Sequence, residues 1–169
     1  MRLLPIVVTT AGLAAAAPAM AADISVAVEL PRIATASYHR PYVAIWIEKP
    51  DQTAAQTLAV WYQQTRNNEG DGKDWLKDLR TWWRKGGRAM TLPADGISGA
   101  TRAAGRQSIT VPAARLRGLQ PGQYTMVVEA ARELGGREVV RVPFRWGAAN
   151  TANASGSSEL GAVRVTVSR

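Results

Sequence analysis

Apolar and polar positions alternate along most of the chain, and the alternation has the two-residue period of β-strands. From Ile24 to Leu30, "ISVAVEL" places an apolar side chain at every second position, as a half-buried strand requires. "PYVAIWIE", Pro41 to Glu48, sets Val43, Ile45 and Ile47 on one side and Ala44 and Trp46 on the other, so both faces of this strand are expected to be covered. A third strand follows the turn-like "KPDQT" as "TLAVWY", Thr57 to Tyr62. Further on, "RQSITVP" reads as a short strand ending at Pro112. A Pro-Gly turn at Pro121-Gly122 then feeds a long strand from Tyr124, and Gly135-Gly136 returns the chain as its hairpin partner. In that partner Val140, Val142, Phe144 and Trp146 form the core-facing set, opposite Val139, Arg141, Pro143 and Arg145. The last strand is "ELGAVRVTVS", preceded by a low-complexity stretch, "GAANTANASGSS", expected to be a loop. About seven strands separated by turn signals predict an all-β fold, an immunoglobulin-like β-sandwich.

One stretch breaks the period. In "DWLKDLRTWWRKGG", Trp75, Leu76, Leu79, Trp82 and Trp83 recur at helical spacing, with Asp74 placed to cap the start and Gly86-Gly87 to end it. A short amphipathic helix is expected there. Its tryptophan face either packs on the sandwich or presents Trp75, Trp82 or Trp83 to a planar ligand bound at the loop that follows.

Ahead of the first strand, Met1 and Arg2 lead into "LLPIVVTTAGLAAAAPAM" and a small-residue exit at Ala19-Met20-Ala21. This is the layout of a cleaved secretory signal peptide, 1–21, and it predicts a periplasmic protein whose remaining residues, 22–169, form a single domain. The core is short and interrupted by Pro5 and Pro18, unlike a membrane span. The 169-residue chain contains no cysteine, so an exported domain must be held by packing, and its six tryptophans supply large surfaces for that.

Composition also narrows the chemistry. Zero cysteines exclude a thiolate nucleophile, an iron–sulfur cluster and thioether-linked haem. His39, the single histidine, lies in the loop-like "SYHRPY" and gives no basis for a metal site or a serine triad. The net charge is +8, of which Arg2 contributes one. Export takes the chain away from nucleic acid, leaving an anionic membrane surface or an acidic protein as partners for a basic face, or simple solubility.

The segment after the helix, Asp95-Gly96-Ile97-Ser98-Gly99-Ala100-Thr101, is followed by Arg102. Gly99 and Ala100 leave little side-chain bulk beside Thr101, whose alcohol has no base nearby in the sequence, which suits a nucleophile activated by a second enzyme. Asp95 or Ser98 is left either to serve that enzyme or to order the loop. The pattern resembles the Asp-x-x-Ser/Thr-Gly-Ala-Thr acceptor motif of proteins that carry flavin mononucleotide (FMN) covalently, such as flavin-bearing subunits of sodium-pumping complexes. All five constrained positions match, at Asp95, Ser98, Gly99, Ala100 and Thr101, a coincidence expected in on the order of one chain in a thousand. The resemblance implies a flavin transferase that uses FAD to esterify FMN onto Thr101. Arg102 and Arg106 then either pair with the phosphodiester or the reduced flavin, or remain solvated.

The blocks "RPYVAIWIE", "TLAVWY", "WLKDLRTWWR", "SGATR", "PGQYTMVVEAARELGGRE" and "ELGAVRV" are similar to successive segments of the domain of unknown function 2271 family, predicted periplasmic proteins. That likeness implies an exported single domain associated with flavin transferases and with PepSY-type membrane proteins as electron donors. The polar insert before the last strand departs from the pattern. The expectation is therefore a periplasmic electron carrier with FMN on Thr101, more an electron-transfer protein than a stand-alone enzyme. The alternative is a non-catalytic immunoglobulin-like binding module that recruits its partner through a basic face.

Overall fold

The computed structural model describes residues 22–66, 68 and 70–168. The expected signal peptide, 1–21, lies outside them. No helix among the described residues is long and apolar enough to cross a membrane.

Two antiparallel sheets face each other across one core. Their strands are β1 (Ile24–Leu30), β2 (Tyr42–Glu48), β3 (Ala54–Trp61), β4 (Ser98–Gly99), β5 (Gly105–Val111), β6 (Gly122–Ala131), β7 (Arg137–Trp146), β8 (Asn150–Ser155) and β9 (Ala162–Val167). The first sheet has the order β5-β1-β9-β8 and the second β4-β3-β2-β6-β7, with β4 the one parallel partner. The alternating positions read from the sequence fill the space between them. Ile24, Val26, Val28 and Leu30 of β1 and Val163, Val165 and Val167 of β9 meet Val43, Ile45, Ile47, Met126, Val128, Val142 and Phe144 from the other sheet.

The fold is a β-sandwich with immunoglobulin-like wiring. The β1–β5 pair lies in one sheet, and β3, β2, β6 and β7 lie in the other, as strands B and E and strands C′, C, F and G do in that fold. Tyr124, near the start of β6, donates its hydroxyl to the Gln120 carbonyl at 2.9 Å, a tyrosine corner. The place of the first strand, A, beside β1 is taken by β9 from the far end of the chain.

Two strands exceed the expected seven. β8 runs through the stretch read as a loop: Ala152 and Ala154 point to the core and Asn150, Asn153 and Ser155 pair along β9. Alanine methyls carry too weak an apolar signal to mark such an edge strand in sequence. β4 is two residues long and is created by tertiary pairing.

The helix is also less regular than expected. A 3-10 segment, Gly72–Asp78, is capped by Asp71, not Asp74, through the Lys73 N–H at 3.0 Å, and leads into a single α-helical turn, α1 (Arg80–Arg84). Its Leu76, Leu79 and Trp82 cover the outer face of the second sheet against Ala44, Trp46, Val60, Tyr62 and Val127, so both faces of β2 are buried as the sequence required.

Two buried carboxylates on that outer face fix the covering layer. Glu129 of β6 accepts the Thr81 and Trp82 N–H groups at 3.0 and 2.8 Å and the Arg137 guanidinium at 2.6 Å. Glu48 of β2 accepts the Trp46 indole N–H at 3.0 Å and pairs with Lys85 at 2.8 Å. Glu129→Ala leaves the two N–H groups buried without acceptors, and a loss of about 3 kcal/mol is expected in chemical denaturation.

Next to Arg137 on β7, Glu138 accepts the N–H groups of Ser157, Ser158, Glu159 and Leu160, ordering the β8–β9 turn. Burial pushes its pKa upward, but the N–H bonds from Ser157, Leu160 and Ser158 outweigh that and lower it from 4.5 to about 2. Because the folded value is depressed, Glu138 contributes its full stability above the unfolded value near 4.5 and loses it as pH falls toward 2. Thermal melts between those limits are expected to show a steeper acid loss in wild type than in Glu138→Gln.

Candidate functional site

The Asp95–Thr101 segment crosses the edge of the second sheet as an added strand. The Val60 N–H donates to the Ile97 carbonyl and the Tyr62 N–H to the Gly99 carbonyl, both at 2.9 Å. Arg115 binds the segment from below, donating to the Gly96 carbonyl at 2.8 Å and to the Leu58 carbonyl at 3.2 Å. Ser98 closes the turn on itself: its N–H donates to the Ala94 carbonyl and its Oγ accepts the Ala94 N–H, each at 2.9 Å. Of the two roles left open for Ser98, the local geometry shows the ordering one.

Gly99 lies flat against an indole. A Cβ there would stand 3.2 Å from Trp61 Cδ1, so any larger residue presses on a buried ring. Asp95 and Ala100 are exposed, and among the described residues no partner holds the Asp95 carboxylate. Thr101 is half-buried, and its hydroxyl likewise makes no hydrogen bond among the described residues. The result is an alcohol on a fixed backbone, flanked by small side chains.

Arg102 is engaged by the neighbouring core and strand. Its guanidinium stacks on the Trp61 ring at 4.1 Å from the centroid and donates to the Ser108 carbonyl at 3.3 Å, covering an open margin of the core. Arg106 is exposed on β5 opposite Glu29. Neither arginine lines the space beside Thr101.

That space is a cleft of about 680 Å³, within the size range of small-molecule sites. Its walls come from distant segments: the approach to β2 (Tyr38, His39, Arg40), the helical layer (Trp75, Asp78, Arg80) and the β6–β7 hairpin (Arg132 to Arg137). His39 belongs to this wall and its Nδ1 lies 3.3 Å from Glu133. The three large hydrophobic side chains that are exposed among the described residues, Tyr38 (37%), Trp75 (46%) and Leu134 (81%), all line it. Four arginines, Arg40, Arg80, Arg132 and Arg137, line it with Asp78 and Glu133; Arg132 is paired with Glu159 and Arg137 with Glu129.

The tryptophans divide accordingly. Trp82 is buried beneath the helical layer, with its indole N–H donated to Thr57 at 3.0 Å, and Trp83 packs half-buried beside it. Neither reaches the cleft, and Trp75 alone of the three has its ring there. The cause is the 3-10 winding of 72–78, which turns Trp75 out while Leu76 and Leu79 turn in. Sequence reasoning missed Arg40, Arg80, Arg115, Arg132, Arg137 and Tyr38 altogether. No local pattern distinguishes them from other surface residues. Among the described residues no group of three or more acidic or histidine side chains gathers as a metal site would.

No protein of curated function and no solved structure matches the sequence. A family model does, over residues 23–162, which span β1 through the first residue of β9. The chain therefore belongs to the DUF2271 family of predicted periplasmic proteins.

Proposed function

We propose that this protein is a periplasmic electron carrier bearing FMN esterified to Thr101. The observation that carries the reading is the complete Asp-x-x-Ser-Gly-Ala-Thr motif, together with a Thr101 hydroxyl that has no hydrogen-bond partner among the described residues and lies at the margin of a ligand-sized cleft. In the transfer, Thr101 Oγ1 attacks the flavin-side phosphorus of FAD. The pyrophosphate bond breaks, AMP leaves, and the hydroxyl proton passes to a base on the transferase. The exposed Asp95 carboxylate is available to that enzyme, while Ser98, Gly99 and Arg115 keep the acceptor backbone in one position.

The residues of the cleft fit a bound flavin. Trp75 and Tyr38 offer exposed aromatic faces to a planar ring, and Arg40 and Arg80, which pair with no carboxylate among the described residues, complement a phosphodiester and a ring that gains negative charge on reduction. Bound there, FMN supplies one- and two-electron transfer. A tether keeps it from being lost by dilution after export through the 1–21 signal peptide. Its electron donor is a membrane protein of the PepSY type, and the net charge of +7 left once Arg2 is removed with the signal peptide (20 − 13) favours approach to an anionic membrane surface.

A second reading, a non-catalytic module that binds a partner protein through its basic face, draws on the 81% exposure of Leu134 at the hairpin tip. It predicts a colourless protein whose association weakens with salt and survives Thr101→Ala.

Co-expression with an active flavin transferase and FAD supply decides between them. Intact-mass measurement of the exported protein is expected to show one added FMN in wild type and none in Thr101→Ala, with the modified peptide mapping across Asp95 to Arg102. An unmodified wild-type mass under those conditions removes the flavoprotein reading.

A further inference from the structure

The outward faces of the two sheets differ in charge. On the first sheet they are built of small polar residues: Thr110, Ser25, Thr166 and Thr151 form one row across β5, β1, β9 and β8, and the charges are Arg106 and Arg164 against Glu29. On the second sheet the outward positions of β7 are Arg137, Val139, Arg141, Pro143 and Arg145, and all three arginines are exposed. At the rise of an extended strand they make a row about 27 Å long.

The helical layer widens this row. Trp82 is the buried side of α1, so Arg80 and Arg84, two positions to either side of it and four apart, share the opposite, exposed side. The flank toward β7 carries Thr81, whose hydroxyl accepts from Arg137 at 3.2 Å, and Lys85, which shares Glu48 with Arg141 at 2.8 and 3.7 Å. The cations of α1 and β7 therefore adjoin. Six of them, Arg80, Arg84, Lys85, Arg137, Arg141 and Arg145, are offset only by Glu48 and Glu129, and those two carboxylates lie underneath, 1% and 0% exposed. Arg80, Arg84 and Arg145 pair with no carboxylate among the described residues. At the margins, Lys49 offsets Asp51 in the β2–β3 turn, and Asp78 stands at the cleft end.

No large exposed hydrophobic side chain accompanies this charge. The three among the described residues all line the cleft, so the face lacks the anchor around which a specific protein interface is built. Cations spread over a surface without an anchor suit a partner that is itself extended and diffusely anionic. We infer that the face formed by α1 and β7 docks on an anionic phospholipid bilayer. The inference rests on the approach to a membrane proposed above, to which it gives an orientation, and needs no flavin. Arg80 and Arg137 belong both to this face and to the cleft wall, so a molecule lying on it holds the cleft beside the lipid headgroups.

The test is co-sedimentation of the exported, unflavinylated protein with vesicles of equal parts phosphatidylglycerol and phosphatidylcholine. Retention is expected at low salt, with none on phosphatidylcholine alone, and is expected to vanish at about 1 M salt. One Lys or Arg near such a surface is worth about five-fold in partition, so Arg84→Gln/Arg145→Gln should weaken retention about 25-fold. Neither side chain makes a hydrogen bond or ion pair among the described residues, so the melting temperature should stay unchanged. Arg106→Gln/Arg164→Gln removes the same charge from the first sheet and should weaken retention far less. Equal losses in the two double variants reduce the effect to net charge and overturn the assignment of the face, leaving the approach to a membrane standing. Absence of wild-type retention overturns both. Retention on polyglutamate beads but not on the anionic vesicles assigns the face to an acidic protein and overturns the lipid assignment. Flavinylation of Thr101 is decided separately, by mass.

Discussion

Two carboxylates buried on the outside of a β-sheet hold the covering layer of this molecule in place. Glu48 and Glu129 occupy outward positions on β2 and β6, where a two-layer sandwich would put solvent-facing residues. Here a third layer covers them, and each carboxylate is neutralised by that layer or its neighbours: Lys85 for Glu48, and backbone N–H groups with Arg137 for Glu129. Burying these charges without those partners would be prohibitive, so the layer has one docking position. Trp75, Asp78 and Arg80 inherit their places from it, and Arg137 links the same carboxylate to the opposite wall of the cleft.

The Asp95–Thr101 segment is fixed by a different set of bonds. It is stitched to the edge of β3, braced by Arg115 and seated on Trp61. The flavinylation proposed for Thr101 requires a hydroxyl that is reachable yet presented in one conformation, and an edge strand is suited to both: one side is hydrogen-bonded to the sheet and the other faces outward. The same pairing covers part of the β3 edge, which would otherwise offer free backbone groups to a second chain.

Much of the sandwich was legible because its physics is local. β1, β2, β6 and β7 each carry several large apolar residues at a two-residue period, and the double-sided burial of β2 could be read from Ala44 and Trp46 lying opposite Val43 and Ile45. β8 was not, since Ala152 and Ala154 barely differ from loop residues until β9 pairs with them. The helix start was placed three residues late because Asp71 and Asp74 are equivalent as capping chemistry, and the choice between them is made by the fold. The candidate site was half legible. The residues of the proposed acceptor motif are contiguous and so stand out in sequence. Its cleft joins residues near 38–42, 63, 75–80, 101 and 131–137, and nothing in a linear pattern brings Arg132 to Thr101. For the same reason Arg102, the sequence neighbour, was a poor guide to the charge around the alcohol.

The strand order has an implication for assembly. β1 is made early, yet one of its two flanks is matched only by β9, with Val28 opposite Val163 and Ile24 opposite Val167. Until those distant residues arrive, the first sheet is a single pair, β1 with β5, and half the oily interior has no lid. The β-sandwich core is therefore closed only when the C-terminal strand has been made, and long-range pairings of this kind are associated with slow folding.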